Sequence, residues 1–257
     1  MALANRRFLA LAVPGALLSL LVGALLLHPA APARADAARV AGGTPVVVAL
    51  YTSEGCSSCP PADVLLTRLE RSQPVAGARI VPLEIHVDYW DAIGWKDPFS
   101  SADFTARQTT YARSHGSNHL YTPEAVVDGA VDVVGSDEDG LKKLVAEAAR
   151  RPKVPLRASF GGKGLVIDVP AFAGPAAATV RVAWVQSQAS VAVPRGENGG
   201  RTLEHTAIVR QLATLGTVAP AGGRLETTAP GDASLYAVVL LETAEKNETL
   251  GVAVVPR

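Results

Sequence analysis

The sequence predicts a two-part α/β chain: a strand-and-helix unit over residues 45–152, then a mostly β, sandwich-like unit over residues 153–257. Three observations carry this. A Val-rich apolar run from Pro45 to Tyr51 leads through a short turn into Cys56-Ser57-Ser58-Cys59 and then into apolar residues at helical spacing. A hairpin pattern followed by a helical stripe closes the first unit near Arg150. From Lys153 the texture changes to short Val-rich runs separated by Gly and Pro, with no strong amphipathic helix.

The N-terminal stretch is set aside before the fold is read. Arg6 and Arg7 precede an apolar run from Phe8 to Leu27, and Ala33-Arg34-Ala35 follows. A basic start, an apolar middle and a small-x-small exit make residues 1–35 a secretory signal peptide, so the expected location is secreted or periplasmic. The run is about as long as a membrane span needs, which makes an uncleaved anchor the competing reading. Pro14 and Gly15 interrupt it and favour cleavage, leaving no stable membrane span. Residues 36–44 read as a linker. Cleavage removes three arginines and no acid, so totals of 24 basic and 24 acidic residues become 21 and 24. Without a basic excess, nucleic acid is a poor partner. At 48% hydrophobic and 19% charged residues, the chain has ample apolar material for a packed core.

The unbroken apolar run Pro45–Tyr51 is the pattern of a strand buried on both faces. Pro60 and Pro61 sit where a helix begins and a missing N–H costs little, and Ala62, Leu65, Leu66 and Leu69 follow at helical spacing. Arg79–Val87 reads as a second strand. After a Gly- and Pro-punctuated loop over 92–100, a helix is expected from Ser101 to Arg113, capped by Ser100 or Ser101. Ala125–Val127 and Val131–Val134 form a hairpin across Asp128-Gly129. Ser136 with Asp139 reads as a capping box for a helix whose stripe is Leu141, Leu144, Val145 and Ala148. In the second unit the expected strands are Val154–Phe160, Leu165–Val169, Thr179–Gln186, Thr206–Leu212, Leu235–Glu242 and Leu250–Val255. Gly161–Gly164 reads as a hairpin turn between the first two.

Cys56 and Cys59 are the only cysteines, so one bridge over two intervening residues is all the chain can make. So short a loop constrains little of the unfolded chain, which points to chemistry over stapling. A cysteine at a helix N-terminus meets unpaired N–H groups and the positive end of the helix dipole, both of which favour the thiolate. The thiolate attacks disulfides, and a second cysteine one turn on can resolve the mixed disulfide. A structural bridge or two buried thiols are the plainer readings; a zinc site would need two further ligands. His86 and Asp88 share a strand face by period two. His86 with both cysteines is a candidate copper set, against a hydrogen-bonded structural histidine. Glu54 is either a proton acceptor near the thiols or a solvated turn residue. Trp90 and Trp95 line a groove or pack in the core. Gly196-Glu197-Asn198-Gly199-Gly200-Arg201 is an inter-strand loop without the Lys-Ser/Thr end of a phosphate loop, and its charge and glycine content allow a binding role as the alternative.

Tyr51–Cys59 resembles the active-site segment of the thioredoxin superfamily: strand, short acid-containing turn, cysteine pair, helix. Thr122-Pro123 resembles its cis-proline loop and is followed, as there, by a strand, an Asp-Gly turn, a strand and a final helix. Tyr51–Asp63, His86–Asp91, Tyr121–Pro123, Arg195–Asn198 and Arg201–Leu203 are similar to a secreted bacterial family catalogued as domain of unknown function 1223. The resemblance implies a thioredoxin-like fold with a β extension. It also implies a cis bond before Pro123, with Pro123 packed beside the cysteines and the Thr122 backbone free to pair with an extended substrate. Gly55 stands where thioredoxins carry Trp, implying a less apolar surface around Cys56. Ser57-Ser58 replaces Gly-Pro; two hydroxyls donating to the Cys56 thiolate would make the couple more oxidising. Asp91–Ser117 reads as an insertion that shapes a substrate groove.

The leading expectation is thiol–disulfide exchange outside the cytoplasm, with protein thiols or disulfides as partners. Cys56 is the nucleophile, Cys59 the resolving thiol, Pro123 the substrate-side wall and Thr122 the substrate-pairing residue, with no cofactor beyond the cysteine pair. The alternatives are a non-enzymatic envelope binding module with a structural Cys56–Cys59 bridge, and a copper-handling protein using Cys56, Cys59 and His86.

Overall fold

Alternation along the first strand sets the layers of the molecule. In the computed structural model, which describes residues 42–162, 164–174 and 177–257, β1 (Thr44–Thr52) pairs in parallel with β2 (Ala78–His86) from Thr44↔Ala78 to Thr52↔His86. Val46, Val48 and Leu50 face a core shared with α1 (Pro60–Ser72) and α3 (Glu138–Ala148). Val47, Ala49 and Tyr51 face the other side, where Phe104 and Tyr111 of α2 (Ala102–Ser114) pack. Burial on both faces explains the unbroken apolar run. Leu65, Leu66 and Leu69 anchor α1, each contributing about 2 kcal/mol by burial. The signal peptide, its cleavage site and most of the linker lie outside the described residues.

The helix starts follow local chemistry. Pro60 opens α1 directly after Cys59. Ser101 caps α2, its Oγ accepting the Asp103 N–H at 3.2 Å. The cap of α3 is Asp137 rather than Ser136: the Asp137 carboxylate accepts the Gly140 N–H at 3.0 Å. A charged acceptor gains more than a hydroxyl from the positive end of the helix. Between β3 (Glu124–Val127) and β4 (Val131–Val134), Asp128 at φ 51° and Gly129 at φ 67° make the left-handed pair that matches the twist of a two-residue hairpin.

The remaining strands are β5 (Arg157–Gly161), β6 (Gly164–Val169), β7 (Ala178–Ala192), β8 (Thr202–Val218), β9 (Gly223–Thr228), β10 (Tyr236–Thr243) and β11 (Thr249–Val255). Two of them overrun their apolar stretches: β7 has 15 residues and β8 has 17, because their polar ends pair with each other from Gln188↔Thr206 to Ala192↔Thr202. β9 escapes a search for apolar runs because Gly-Arg-Leu-Glu-Thr-Thr is polar and mostly exposed.

Eight strands form one mixed sheet in the order β11-β10-β7-β8-β2-β1-β3-β4; β5-β6-β9 form a second. The architecture is mixed α/β, mostly strand. The large sheet crosses the junction at residue 152, where β8 meets β2 in parallel through a single pair, Glu84↔Ile208. The small sheet lies over β7 and β10, with Leu165, Ile167 and Val169 against Val180, Val182, Trp184, Val239 and Leu241. Among the described residues no helix is long and apolar enough to cross a membrane.

Candidate functional site: a covered disulfide over a buried charged chain

Cys56 and Cys59 form a disulfide with their Cα atoms 5.4 Å apart. The turn that carries them is built from short-range bonds: the Cys56 N–H donates to the Ser53 carbonyl at 3.1 Å and the Gly55 N–H to Ser53 Oγ at 3.1 Å. Cys59 is the N-cap of α1, its carbonyl accepting the N–H groups of Ala62 at 2.8 Å and Asp63 at 3.2 Å. The pair therefore lies at the N-terminal, positive end of the helix.

Both cysteines are fully buried. Their cover comes from the loop between β7 and β8. Asn198 Nδ2 donates to the carbonyls of Glu54 and Cys56, each at 2.9 Å. Arg201 Nη1 donates to Asn198 Oδ1 at 2.8 Å and holds the amide in place. Glu197 Oε2 accepts the Ser57 N–H at 3.1 Å. The loop expected to connect strands is thus fastened to the cysteine turn across more than half the chain. Its signal in the sequence was an Asn and a Glu set among glycines, side chains placed where the backbone can approach closely.

Ser58 Oγ lies 3.4 Å from Cys56 Sγ, so one serine hydroxyl of the expected two is found at the sulfur. Gly55 is explained by its neighbour: a Cβ there would come within 3.1 Å of Trp90 Cβ and 3.3 Å of the Trp90 carbonyl. Trp90, from the segment after β2, thus lies against Gly55. Trp90 Nε1 donates to Thr122 Oγ1 at 2.8 Å, linking the cysteine turn to the Thr122-Pro123 loop, whose peptide bond is cis. Pro123 is buried near the first turn of α1: a Cβ on Gly135 would lie 3.0 Å from Pro123 Cβ and 3.1 Å from Ala62 Cβ. Trp95 is half-buried.

Beneath the turn lies a chain of buried ionisable side chains, each at most 4% exposed: Asp97, His86, Glu84, His205 and Glu54. Asp97 Oδ2 is 2.7 Å from His86 Nδ1 and accepts the Glu54 N–H at 2.9 Å. Glu84 Oε1 is 3.3 Å from His86 Nε2 and 2.5 Å from His205 Nδ1, while its Oε2 accepts the Thr206 N–H at 2.9 Å. His205 Nε2 comes within 2.9 Å of Glu54 Oε1, but too obliquely for a hydrogen bond. Burial alone would lower the histidines; the adjoining carboxylates outweigh it, lifting His86 to about 10 and His205 to about 11. Burial would raise Glu84 and Asp97, and the imidazoles hold both below the ordinary carboxylate range. Asp63 on α1 is pushed upward by burial and by the charge of Glu84, although it accepts the Thr52 hydroxyl at 2.8 Å.

Two expectations are corrected here. Glu54 is not a solvated turn residue but fully buried. His86 does not share a strand face with Asp88, because β2 ends at His86; Asp88 accepts instead from Thr105 Oγ1 at 2.6 Å, and Asp97 takes its place beside His86. Among the described residues, two overlapping groups have metal-ligating atoms close together: Glu84, His86 and His205, and Glu54, His86 and Asp97. Neither contains a cysteine, so the copper set of Cys56, Cys59 and His86 is not assembled.

These features define a class of mixed α/β protein with one large mixed sheet and a covered disulfide at the start of its first helix. The chain belongs to the family described as protein of unknown function DUF1223, which matches residues 47–242. It is similar to the crystal structure of a structural-genomics target protein from Agrobacterium tumefaciens, with 30% identity and a TM-score of 0.68 over 81% of this chain and 92% of that one. It is similar in fold to HBP35 of Porphyromonas gingivalis, with 11% identity and a TM-score of 0.54 over 82% of this chain and 74% of that one. No curated protein matches it.

Proposed function

We propose that this protein is an exported thiol–disulfide exchange protein, with a thioredoxin-like unit at 45–152 and a β-rich unit at 153–257 that covers its cysteine turn. The observation that carries this reading is the cysteine pair at the N-terminus of α1, joined through Trp90 to the Thr122-Pro123 loop. In the reduced protein the Cys56 thiolate attacks a partner disulfide. One sulfur–sulfur bond forms, the partner's breaks, and the departing partner thiolate takes a proton from solvent. Cys59, as thiolate, then attacks Cys56 and releases the partner's second thiol; the protein is left oxidised and the partner reduced by the same two electrons. The reverse sequence oxidises a dithiol. The helix terminus and the Ser58 hydroxyl favour the Cys56 thiolate, which raises the potential of the couple. Pro123 walls the substrate side and Thr122 faces the substrate.

Cys59→Ser tests this directly. Exposed to an exported proteome, the variant should accumulate mixed disulfides on Cys56 that reductant releases, and the wild-type pair should show a potential above that of thioredoxin.

A second reading is favoured by the complete burial of both cysteines under Asn198: the bridge is structural and the protein binds without turnover. A pair that traps no partner and resists reduction at the poise of its compartment would establish that reading and remove the first.

A further inference from the structure

Among the described residues, five buried side-chain nitrogen and oxygen atoms have no hydrogen-bond partner. Four belong to Glu54, His86 and His205; the fifth, Arg79 Nε, stands apart from them on β2. Arg79 lines a cleft of about 710 Å³ at the C-terminal end of α1, about 20 Å along the helix from the cysteines. The cleft exists because β2 and β8 pair only at Glu84↔Ile208. Two earlier residues of β2 forbid a longer ladder. Pro82 has no N–H to give, and the Gln73 side chain takes both backbone groups of Ile80: its Oε1 accepts the Ile80 N–H at 2.7 Å and its Nε2 donates to the Ile80 carbonyl at 3.1 Å. The same two residues bar an added peptide strand, which needs a free strand edge. The cleft is therefore a pocket for a small ligand rather than a groove for a backbone, and its volume suits one.

Three arginines and one glutamate line it, a local excess of positive charge in a chain with 24 basic and 24 acidic residues. Arg257 is engaged elsewhere, its guanidinium 4.8 Å over the Phe160 ring. Arg71 and Arg79 make no ion pair among the described residues. Arg71, in the last turn of α1, answers the negative end of the helix. Arg79, on a strand, has no such duty, and its buried Nε still calls for an acceptor. A guanidinium fork matches phosphate and carboxylate oxygens two at a time. Two such forks favour a phosphate monoester, with up to two charges and three acceptor oxygens, over a carboxylate with one charge and two oxygens. Ser187 and Tyr236 add hydroxyl groups to the same lining, and Glu70 adds an acceptor.

We propose that this cleft binds a small hydroxyl-bearing phosphate monoester, with Arg79 and Arg71 on the phosphate and Ser187, Tyr236 and Glu70 on the hydroxyl groups. The site is independent of whether the disulfide turns over.

The test is calorimetric titration of the full chain, oxidised and in phosphate-free buffer of low ionic strength, with glycerol 3-phosphate as the probe. One equivalent should bind saturably, inorganic phosphate should displace it, and glycerol should not bind. Arg79→Gln should weaken the probe about 10- to 100-fold. Arg79→Lys should recover part of that loss, since an ammonium keeps the charge without the fork. Arg71→Gln should weaken the probe about 10-fold. Arg150→Gln, which removes an exposed arginine outside the cleft, and Cys56→Ser/Cys59→Ser should bind as wild type does. Phosphatidylcholine vesicles containing phosphatidic acid identify the source of the ester: co-sedimentation that glycerol 3-phosphate reverses assigns a lipid headgroup, and protein that binds the probe but stays in solution assigns a free ester. If Arg79→Gln does not fold, Arg71→Gln decides, because Arg71 is exposed. Wild-type protein without saturable binding of glycerol 3-phosphate overturns the proposal. So does binding that survives undiminished in both Arg79→Gln and Arg71→Gln, or that falls as far in Arg150→Gln.

Discussion

The two edges of β2 are held in different ways. Toward β1, nine consecutive residues pair in unbroken parallel register. Toward β8 the ladder is one pair long, and side chains do the rest: Glu84 accepts the Thr206 N–H, the Thr206 hydroxyl reaches Glu70 of α1 at 2.6 Å, and Arg210 stacks over Phe99 at 4.9 Å. A backbone ladder spreads its strength over many equivalent bonds and is indifferent to any one side chain. A seam of buried side chains concentrates it, since each bond is strong in a low dielectric and each loss strands its partners. The seam that joins the two halves of the chain is therefore the more fragile of the two.

The largest effect should come from that seam. Glu84→Ala strips partners from His86, His205 and Thr206 together, and removing one member of a buried charged set typically costs about 3–5 kcal/mol. Urea unfolding measures the loss, and amide exchange locates it: β8 should open while β1 and β2 stay protected. Equal opening of both seams would contradict the contrast.

A smaller effect is expected at the cover of the disulfide. Asn198→Ala removes donors from two buried carbonyls, a loss of about 1–3 kcal/mol. It should also speed reduction of Cys56–Cys59 by a small dithiol; an unchanged reduction rate would mean that Asn198 does not guard the bridge.

The smallest effect sharpens the picture on the β1 side, where Glu124 of β3 is buried opposite Tyr51. Burial, with Asp132 nearby, lifts its carboxyl from the usual 4.5 to about 7 despite the Gln108 amide at 2.6 Å. The folded chain keeps a proton that the unfolded chain releases. The resulting stability is fully present below 4.5 and lost as the pH rises through about 7. Glu124→Gln does not titrate. Its stability relative to wild type should climb with pH across that window, and a difference flat with pH would remove Glu124 as the cause.

Much of the first half was legible because its elements obey local rules. Pro45–Tyr51, the proline-led α1, the Ser101 cap and the Asp128-Gly129 hairpin each carry their instructions within a few residues. The long ends of β7 and β8 and the whole of β9 do not, since polar residues enter those strands through pairing with distant partners. The candidate site divides in the same way. The cysteines and the Thr122-Pro123 loop announce themselves by residue type. The buried chain does not: its members come from separate stretches, and charged residues are normally solvent-facing. Period two joined His86 to Asp88 only while the strand was taken to run past His86. Gly55 looked like a deficit until Trp90, 35 positions on, was found against it.

Asn198 stands 142 residues beyond Cys56, whose carbonyl it holds. A chain made from its N-terminus presents both sulfurs long before it has made their lid. Early in the life of the molecule the pair is open to any oxidant it meets; once β7 and β8 have closed, it is open to few. The bridge thereby becomes a record of the surroundings in which the protein matured, sealed by a part of the chain made well after it.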